Sequence, residues 1–197
     1  VKALNHLMEI IPAIDLLDGA CVRLHQGDYG QVTRFSEDPL AQARIWQEQG
    51  ATRLHLVDLD GAKRGEPVND AVVRAITASL EIPVQLGGGV RSLQRAEELI
   101  DCGLDRVILG TAAIEQPLLV SELAHRHPGR IVVGIDAKQG RVAIRGWIEQ
   151  SDVKATDLAQ QFSIDGIAAI ITTDIATDGT LEGPNLESLR SVAQFSS

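Results

Sequence analysis

Short β-branched runs alternate along this chain with longer stretches whose apolar positions recur at helical spacing, the pattern of repeated βα units. Strands are expected at Glu9–Asp15, Arg53–Asp58, Val84–Leu86, Arg106–Leu109, Ile131–Ile135 and Gly166–Thr173. Helices are expected at Pro39–Gln49, Asp70–Ser79, Ser92–Cys102, Gln116–His127, Lys154–Phe162 and Asn185–Gln194. Several helix ends are legible: Ser92 has the type and place of an N-cap, and Gly50 and Gly103 stand where helices stop. The strands show little polar alternation, as strands covered on both faces do. Such a pattern fits either an open doubly wound sheet or a closed barrel.

An internal repeat favours the barrel. IIPAIDLLDG (Ile10–Gly19) and VVGIDAKQG (Val132–Gly140) both read as an apolar strand, Ile-Asp, two residues and a polar-Gly turn. Asp15 and Asp136 therefore fall at equivalent places. LVDLDGAKRG (Leu56–Gly65) likewise matches TTDIATDGTLEG (Thr172–Gly183), with a two-residue insertion in the later copy. Two half-barrels of four βα units each produce this order. The expected fold is thus α/β, a (β/α)8 TIM barrel of two half-barrel repeats in a single domain spanning 1–197. By this count the chain stops after its sixth unit, a truncation that leaves two unpaired sheet edges.

Composition sets the class. With 44% hydrophobic and 23% charged residues, the 197-residue chain has the make-up of a soluble globular domain with a sizeable core. A net charge of -9 argues against nucleic acid or an anionic membrane as partner. It leaves room for a phosphorylated substrate, since backbone N–H groups at helix N-termini bind phosphate without a basic surface. Cys21 and Cys102 are too few for a disulfide or zinc framework, and a cytoplasmic setting follows. No apolar run reaches the roughly 20 residues of a membrane span. The leader VKALNHLME lacks the features of a secretory signal, and no function is expected of it.

The chemistry is expected at the C-terminal ends of the strands, where β/α-barrels place their sites. Asp15 and Asp136, ending the first and fifth strands, would face each other across a substrate, one removing a proton and the other donating one. For each alone, a helix cap or turn is the plainer explanation. GGGVRS (Gly87–Ser92) and Gly110-Thr111-Ala112-Ala113 follow adjacent strands and together read as a phosphate cradle, centred on Gly88, Gly89, Gly110 and Thr111. Either alone is an ordinary βα turn, and neither is a dinucleotide fingerprint. Asp178-Gly179-Thr180, beyond Thr173 and Asp174, reads by itself more readily as a turn than as a site. Arg145 and Trp147 either hold a substrate carboxamide or heterocycle or belong to a packed surface hairpin. His25 and His55 lack metal-ligand spacing and are read as polar barrel or loop residues. Met8 and the few aromatics are read as packing, and no Ser-His-Asp or Cys-His order points to a covalent nucleophile.

The segments IIPAIDLLDGACVRLHQGDYG, HLVDLDGAKRGEPVN, VQLGGGVRS, RVILGTAA, VVGIDAKQGRVAIRGW and TDIATDGTLEGPN resemble the phosphoribosylformimino-5-aminoimidazole carboxamide ribotide isomerases of histidine biosynthesis. The resemblance runs from Ile10 to Asn185. It implies an Amadori rearrangement of ProFAR, an aminoaldose, to an aminoketose, with no cofactor or metal and with a monomeric protein. It implies Asp15 as the general base and Asp136 as the general acid, the roles being interchangeable at one step. Arg23, Arg145, Trp147, Thr173, Asp178 and Gly179 would bind the substrate, and the glycine turns one of its two phosphates. The family builds its second phosphate site from units seven and eight, so little activity is expected of a chain that ends before them. The cyclase of imidazole glycerol phosphate synthase shares the repeat, but resembles IIPCLDV with a following lysine. Ala13 and Arg23 stand at those places here. An isomerase also acting on phosphoribosylanthranilate, and a catalytically silent phosphate-binding module, are the remaining alternatives.

Overall fold

A computed structural model describes residues 8–65, 67–164 and 166–195. The leader up to Leu7 and the terminal Ser197 lie outside the described residues.

The chain opens with β1 (Ala13–Leu17), β2 (Ala20–His25) and β3 (Asp28–Ser36), an antiparallel meander, followed by α1 (Pro39–Glu48). Next come β4 (Leu54–Asp58), the short α2 (Leu59–Arg64), α3 (Asp70–Ser79), β5 (Val84–Gly87) and α4 (Leu93–Asp101). Strand β6 (Arg106–Leu109) leads through α5 (Thr111–Glu115) and α6 (Pro117–Arg126) to β7 (Ile131–Lys138). A second antiparallel excursion, β8 (Arg141–Ile144) and β9 (Glu149–Lys154), precedes α7 (Ala155–Gln161), β10 (Ile167–Asp174) and α8 (Leu186–Ala193). One sheet contains all ten strands, and its parallel spine runs β1-β4-β5-β6-β7-β10. This is an α/β fold with a curled, half-barrel sheet.

All six expected strands form, with three differences of substance. First, β1 begins at Ala13 rather than Glu9, because pairing with β4 starts only where the Pro12 carbonyl accepts the His55 N–H at 3.0 Å. Ile10, with no strand beside it among the described residues, is 76% exposed. Secondly, β1 and β7 do not end at Asp15 and Asp136, because both strands continue into antiparallel hairpins. These hairpins turn through Asp18-Gly19 and Gln139-Gly140, with φ of 49° and 77° in the first and 53° and 74° in the second. Positive φ at both central residues is what a two-residue type I′ turn demands. The two halves thus share a backbone feature as well as a sequence pattern. Thirdly, the flank of β1 is covered by β2 over Asp15–Leu17, whereas among the described residues no strand pairs with the outer side of β10.

Burial follows strand alternation. In β4, Leu54 and Leu56 are fully buried against the helical layer, while His55 and Val57 face the inner side of the curl. The core joins these leucines to Val73 and Ile76 of α3, Ala96 and Leu99 of α4, Val120 and Leu123 of α6, and Phe162 after α7. Met8, expected to pack, is 85% exposed, and Phe35 also faces outward. Helix α1 starts where Asp38 accepts the Ala41 N–H at 2.9 Å with Pro39 behind it, and the chain leaves it through Gly50 at φ 93°. Ser92 caps α4 in the same way, accepting from the Arg95 N–H at 3.1 Å. Among the described residues no helix is long and apolar enough to cross a membrane.

Replacing the Asp38 cap by Ala is expected to cost about 1 kcal/mol and lower the melting temperature by about 2–4 °C, measured by thermal unfolding.

Candidate active site

Because the spine is parallel, every spine strand delivers its C-terminal end to the same rim, and a cavity of about 380 Å³ opens there. Asp15, Gly88, Gly89, Gly110, Thr111, Asp136, Arg145, Trp147, Thr173 and Asp178 all line it. Arg23 and Gly179 stand outside this lining. The cavity wall also includes Tyr29 and His55, which the sequence patterns did not single out as site residues.

Asp136 is held by two neighbours. The Trp147 indole Nε1–H donates to its Oδ2 at 2.8 Å, and Thr173, directly across the β7–β10 ladder, hydrogen-bonds it as well. Burial pushes the Asp136 carboxyl above its ordinary value, and these two bonds oppose that rise without cancelling it. Asp15 is pushed up to about 6, first by burial and then by the charge of Asp178, against the pull of Arg23. Asp178 is raised too, by burial and by Asp136, again opposed by Arg23. Asp178 therefore feels both of the other carboxyls, and the three cannot all ionise without mutual cost. The Arg23 guanidinium lies 5.6 Å from the centroid of the exposed Phe35 ring, at the edge of this acidic group.

The glycines have a packing reason of their own. A Cβ on Gly88, at φ 100°, would collide with the Asp58 carbonyl, and one on Gly89, at φ 76°, would press on Gly61 at 3.1 Å. The GGG turn is therefore bare because it lies against the chain after β4, and its backbone is left facing the cavity. The Thr111 hydroxyl accepts the Arg145 N–H at 2.9 Å, which pins the loop after β8 to the start of α5. Arg145 itself spans Glu115 and Glu149, at 3.1 and 2.9 Å.

Two flanks of the sheet meet over the cavity. The Gln26 N–H and side-chain amide donate to the carbonyls of Asp178 and Ala176, at 3.2 and 2.7 Å. Gly179 is bare because a Cβ there would lie 2.7 Å from the Leu24 carbonyl. Gly27 is bare because a Cβ would overlap the Trp147 ring. The Tyr29 hydroxyl donates to the Leu59 carbonyl at 3.0 Å, with the Lys63 ammonium 4.6 Å from its ring centroid. On the floor, Gln85 Nε2 lies 2.9 Å from His55 Nδ1, and burial lowers the imidazole to about 4, so His55 is neutral near pH 7. Among the described residues no group of three His, Cys, Asp or Glu side chains is placed to hold a metal ion.

A family model described as histidine biosynthesis protein matches residues 9–197. The chain belongs to this histidine biosynthesis family. Its relatives include a protein of Synechococcus sp. (strain CC9605), 86% identical over 96% of this chain and 74% of its own length. That protein is named 1-(5-phosphoribosyl)-5-((5-phosphoribosylamino)methylideneamino)imidazole-4-carboxamide isomerase. Relatives of the same name in Parasynechococcus marenigrum (strain WH8102) and Prochlorococcus marinus (strain MIT 9303) are 80% and 77% identical, with the same coverage of both chains. In this member of the histidine biosynthesis family, the cavity on the C-terminal rim is the candidate active site.

The Asp15 carboxyl bears on stability. With its value raised from 3.8 to about 6, the folded chain holds the proton more tightly than the unfolded one. That contribution is complete below pH 3.8 and is lost as pH rises through about 6, beyond which the buried charge costs about 3 kcal/mol. Asp15→Asn is accordingly expected to stabilise the fold at pH 8 by about 1–3 kcal/mol and to leave it unchanged at pH 4, as read from urea unfolding at the two pH values.

Proposed function

We propose that this chain is an aldose–ketose isomerase of histidine biosynthesis, catalysing the Amadori rearrangement of the bis-phosphoribosyl compound in its relatives' names to the corresponding aminoketose. One observation carries the reading at the level of residues: two carboxyls from equivalent places in the repeat, Asp15 and Asp136, line one cavity in different environments. A carboxyl titrating near 6 is a carboxylate at neutral pH and serves as a base. Burial raises the Asp136 carboxyl and so favours the proton it would give, while the Trp147 and Thr173 donors, which favour the carboxylate, hold it in place.

In this reading Asp136 protonates the ribose ring oxygen as the C1–O bond breaks, and the glycosidic nitrogen's lone pair forms the C1=N bond of an open-chain iminium. Asp15 then removes the C2 proton, and the electron pair released gives an enolamine that tautomerises to the C2 ketone. Asp178 and Arg23 set the charge around Asp15, and Thr173 keeps Asp136 in place. Arg145 and Trp147 bound the cavity over the heterocycle, and Gly179 lets the Asp178 loop lie close against β2. The backbone of Gly88, Gly89, Gly110 and Thr111 takes one phosphate, a neutral mode of binding consistent with a net charge of -9.

The same reading takes the sheet as part of an eight-stranded β/α-barrel, a single domain of two half-barrel repeats to which this chain contributes six parallel strands. The matching turns after β1 and β7 support it. It further takes the protein as a cytoplasmic monomer needing no cofactor, acting on a small molecule phosphorylated at both ends. The two phosphoribosyl groups in the relatives' names support that substrate.

The test is product formation from ProFAR by the purified chain, beside a version extended through two more βα units, across a pH series. Turnover is expected to fall at least about 10³-fold in both Asp15→Asn and Asp136→Asn. In the parent chain, kcat/KM should decline below a midpoint of about 6 as Asp15 takes up its proton. Full turnover in either variant would overturn the assignment of roles, and absence of turnover in both lengths, each shown to be folded, would overturn the function.

A further inference from the structure

The turn that follows Asp15 is held by side chains more than forty residues away. The Asp18 N–H donates to Asp60 Oδ2 at 2.7 Å, and the Gly19 N–H donates to Asn69 Oδ1 at 3.0 Å. Asn69 Nδ2 donates onward to Asp58 Oδ1 at 2.6 Å and to Asp60 Oδ2 at 3.1 Å. Asp58 Oδ1 also accepts the Gly61 N–H at 2.9 Å, and the exposed Arg64 lies 3.5 Å from Asp60 Oδ1. Asp58, Asp60 and Asn69 are only 2%, 2% and 3% exposed, and none of the three lines the cavity. Two carboxylates and an amide have thus been buried behind the cavity wall, each supplied with donors, to grip a hairpin turn. Burying such groups is costly unless they are fully hydrogen-bonded, so their presence needs a reason beyond filling space.

The second half of the chain supplies the comparison. Asn185 Nδ2 donates to Asp174 Oδ2 at 2.6 Å, the counterpart of the Asn69–Asp58 bond, and the Gln139-Gly140 turn has the same positive φ pair as Asp18-Gly19. There, however, Asn185 Oδ1 accepts the Ser188 N–H of its own helix at 3.1 Å. A space of about 610 Å³, lined by Gln139, Gly140, Asp174 and Asn185, lies where the first half makes its grip. The Asn–Asp pair therefore forms in both halves, and reaches a turn only in the first. The grip is not a requirement of the βα unit.

We propose that Asn69 and Asp60 are positioning residues for Asp15. They fix the Asp18-Gly19 turn, and through it the placement of Asp15 on β1 and of the hairpin that brings Arg23 and Tyr29 to the site. The proposal rests on the isomerase reading above. Neither residue touches substrate; their effect is on where the base stands, and a displacement of about 1 Å costs on the order of 10²-fold in rate.

The test compares Asn69→Ala, Asp60→Ala and Asp60→Asn in the 197-residue chain, with Asp38→Ala as a variant that loses a helix cap far from the hairpin. In Asp60→Asn the side-chain oxygen still receives the Asp18 and Asn69 donors, and only the Arg64 pair is lost. The two alanine variants should lower kcat by about 10- to 100-fold while KM stays within about threefold. Amide exchange at Asp18 and Gly19 should quicken by at least about tenfold, with β5, β6 and β7 unchanged. Asp60→Asn should regain most of the rate, and Asp38→Ala should keep it. Unaltered kcat in a variant whose turn has loosened would overturn the proposal, as would an equal loss of kcat in Asp38→Ala. If the 197-residue chain shows no turnover, the same variants are compared in a version extended through two more βα units; if that too is inactive, the isomerase reading has failed and ¹³C titration of the Asp15 carboxyl decides this one. A midpoint displaced in Asn69→Ala supports the grip, and an unmoved midpoint overturns it. If the alanine variants do not fold, Asp60→Asn beside the parent gives the decision: exchange at Asp18 as slow as in the parent supports the proposal, and quickened exchange with full rate overturns it.

Discussion

Every contact in the candidate site depends on six strands running in the same direction. A parallel ladder fixes direction as well as neighbour, so residues distant in sequence reach one rim without any loop having to carry them there. Asp15 of β1 and Asp136 of β7 are separated in the sheet by β4, β5 and β6, yet the curl turns both toward one cavity. The antiparallel excursions after β1 and β7 then fold back over that cavity. They bring with them what the spine alone lacks, the Tyr29 ring, the Trp147 indole and the Arg145 guanidinium.

The electrostatics follow from the same convergence. Three carboxyls meet in this space, and each is pushed toward its protonated form chiefly by loss of water. What differs is the company each keeps. Asp136 receives hydrogen bonds, Asp15 is pushed up by Asp178 and pulled down by Arg23, and Asp178 feels the other two carboxyls as well as Arg23. Elsewhere in the chain, Asp58 and Asp60 are buried more deeply and are satisfied by backbone N–H groups and an amide. Those two acids serve architecture, and the contrast separates carboxyls held for shape from carboxyls left open to chemistry.

The spine strands were legible because runs such as IVVGI and IAAII are apolar without alternation, which few other local arrangements explain. Helix limits at Ser92 and Gly50 were legible because capping is local. The hairpin after β1 was not, since β3 is a polar strand with an exposed face, while the one after β7 showed only as one of two readings of Arg145 and Trp147, β9 being polar as well. Asp15 and Asp136 could be found because the same motif occurs around each of them. Tyr29 and Gly27 could not, because their roles are set by Leu59 and Trp147, partners that no spacing rule connects to them. The grip on the Asp18 turn was hidden for the same reason, although the turn and Asp60 lie within motifs that the repeat had flagged.

The contact between Gly27 and Trp147 has a consequence for how such chains can change over generations. The indole occupies the volume that any side chain at 27 would need, and it also supplies the donor to Asp136. Neither position is then free to drift alone. A larger residue at 27 is tolerable only in a lineage that has already exchanged the tryptophan, and such a lineage must have found another way to steady Asp136. The two sites, on the hairpins after β1 and β7, are therefore bound to one another's history.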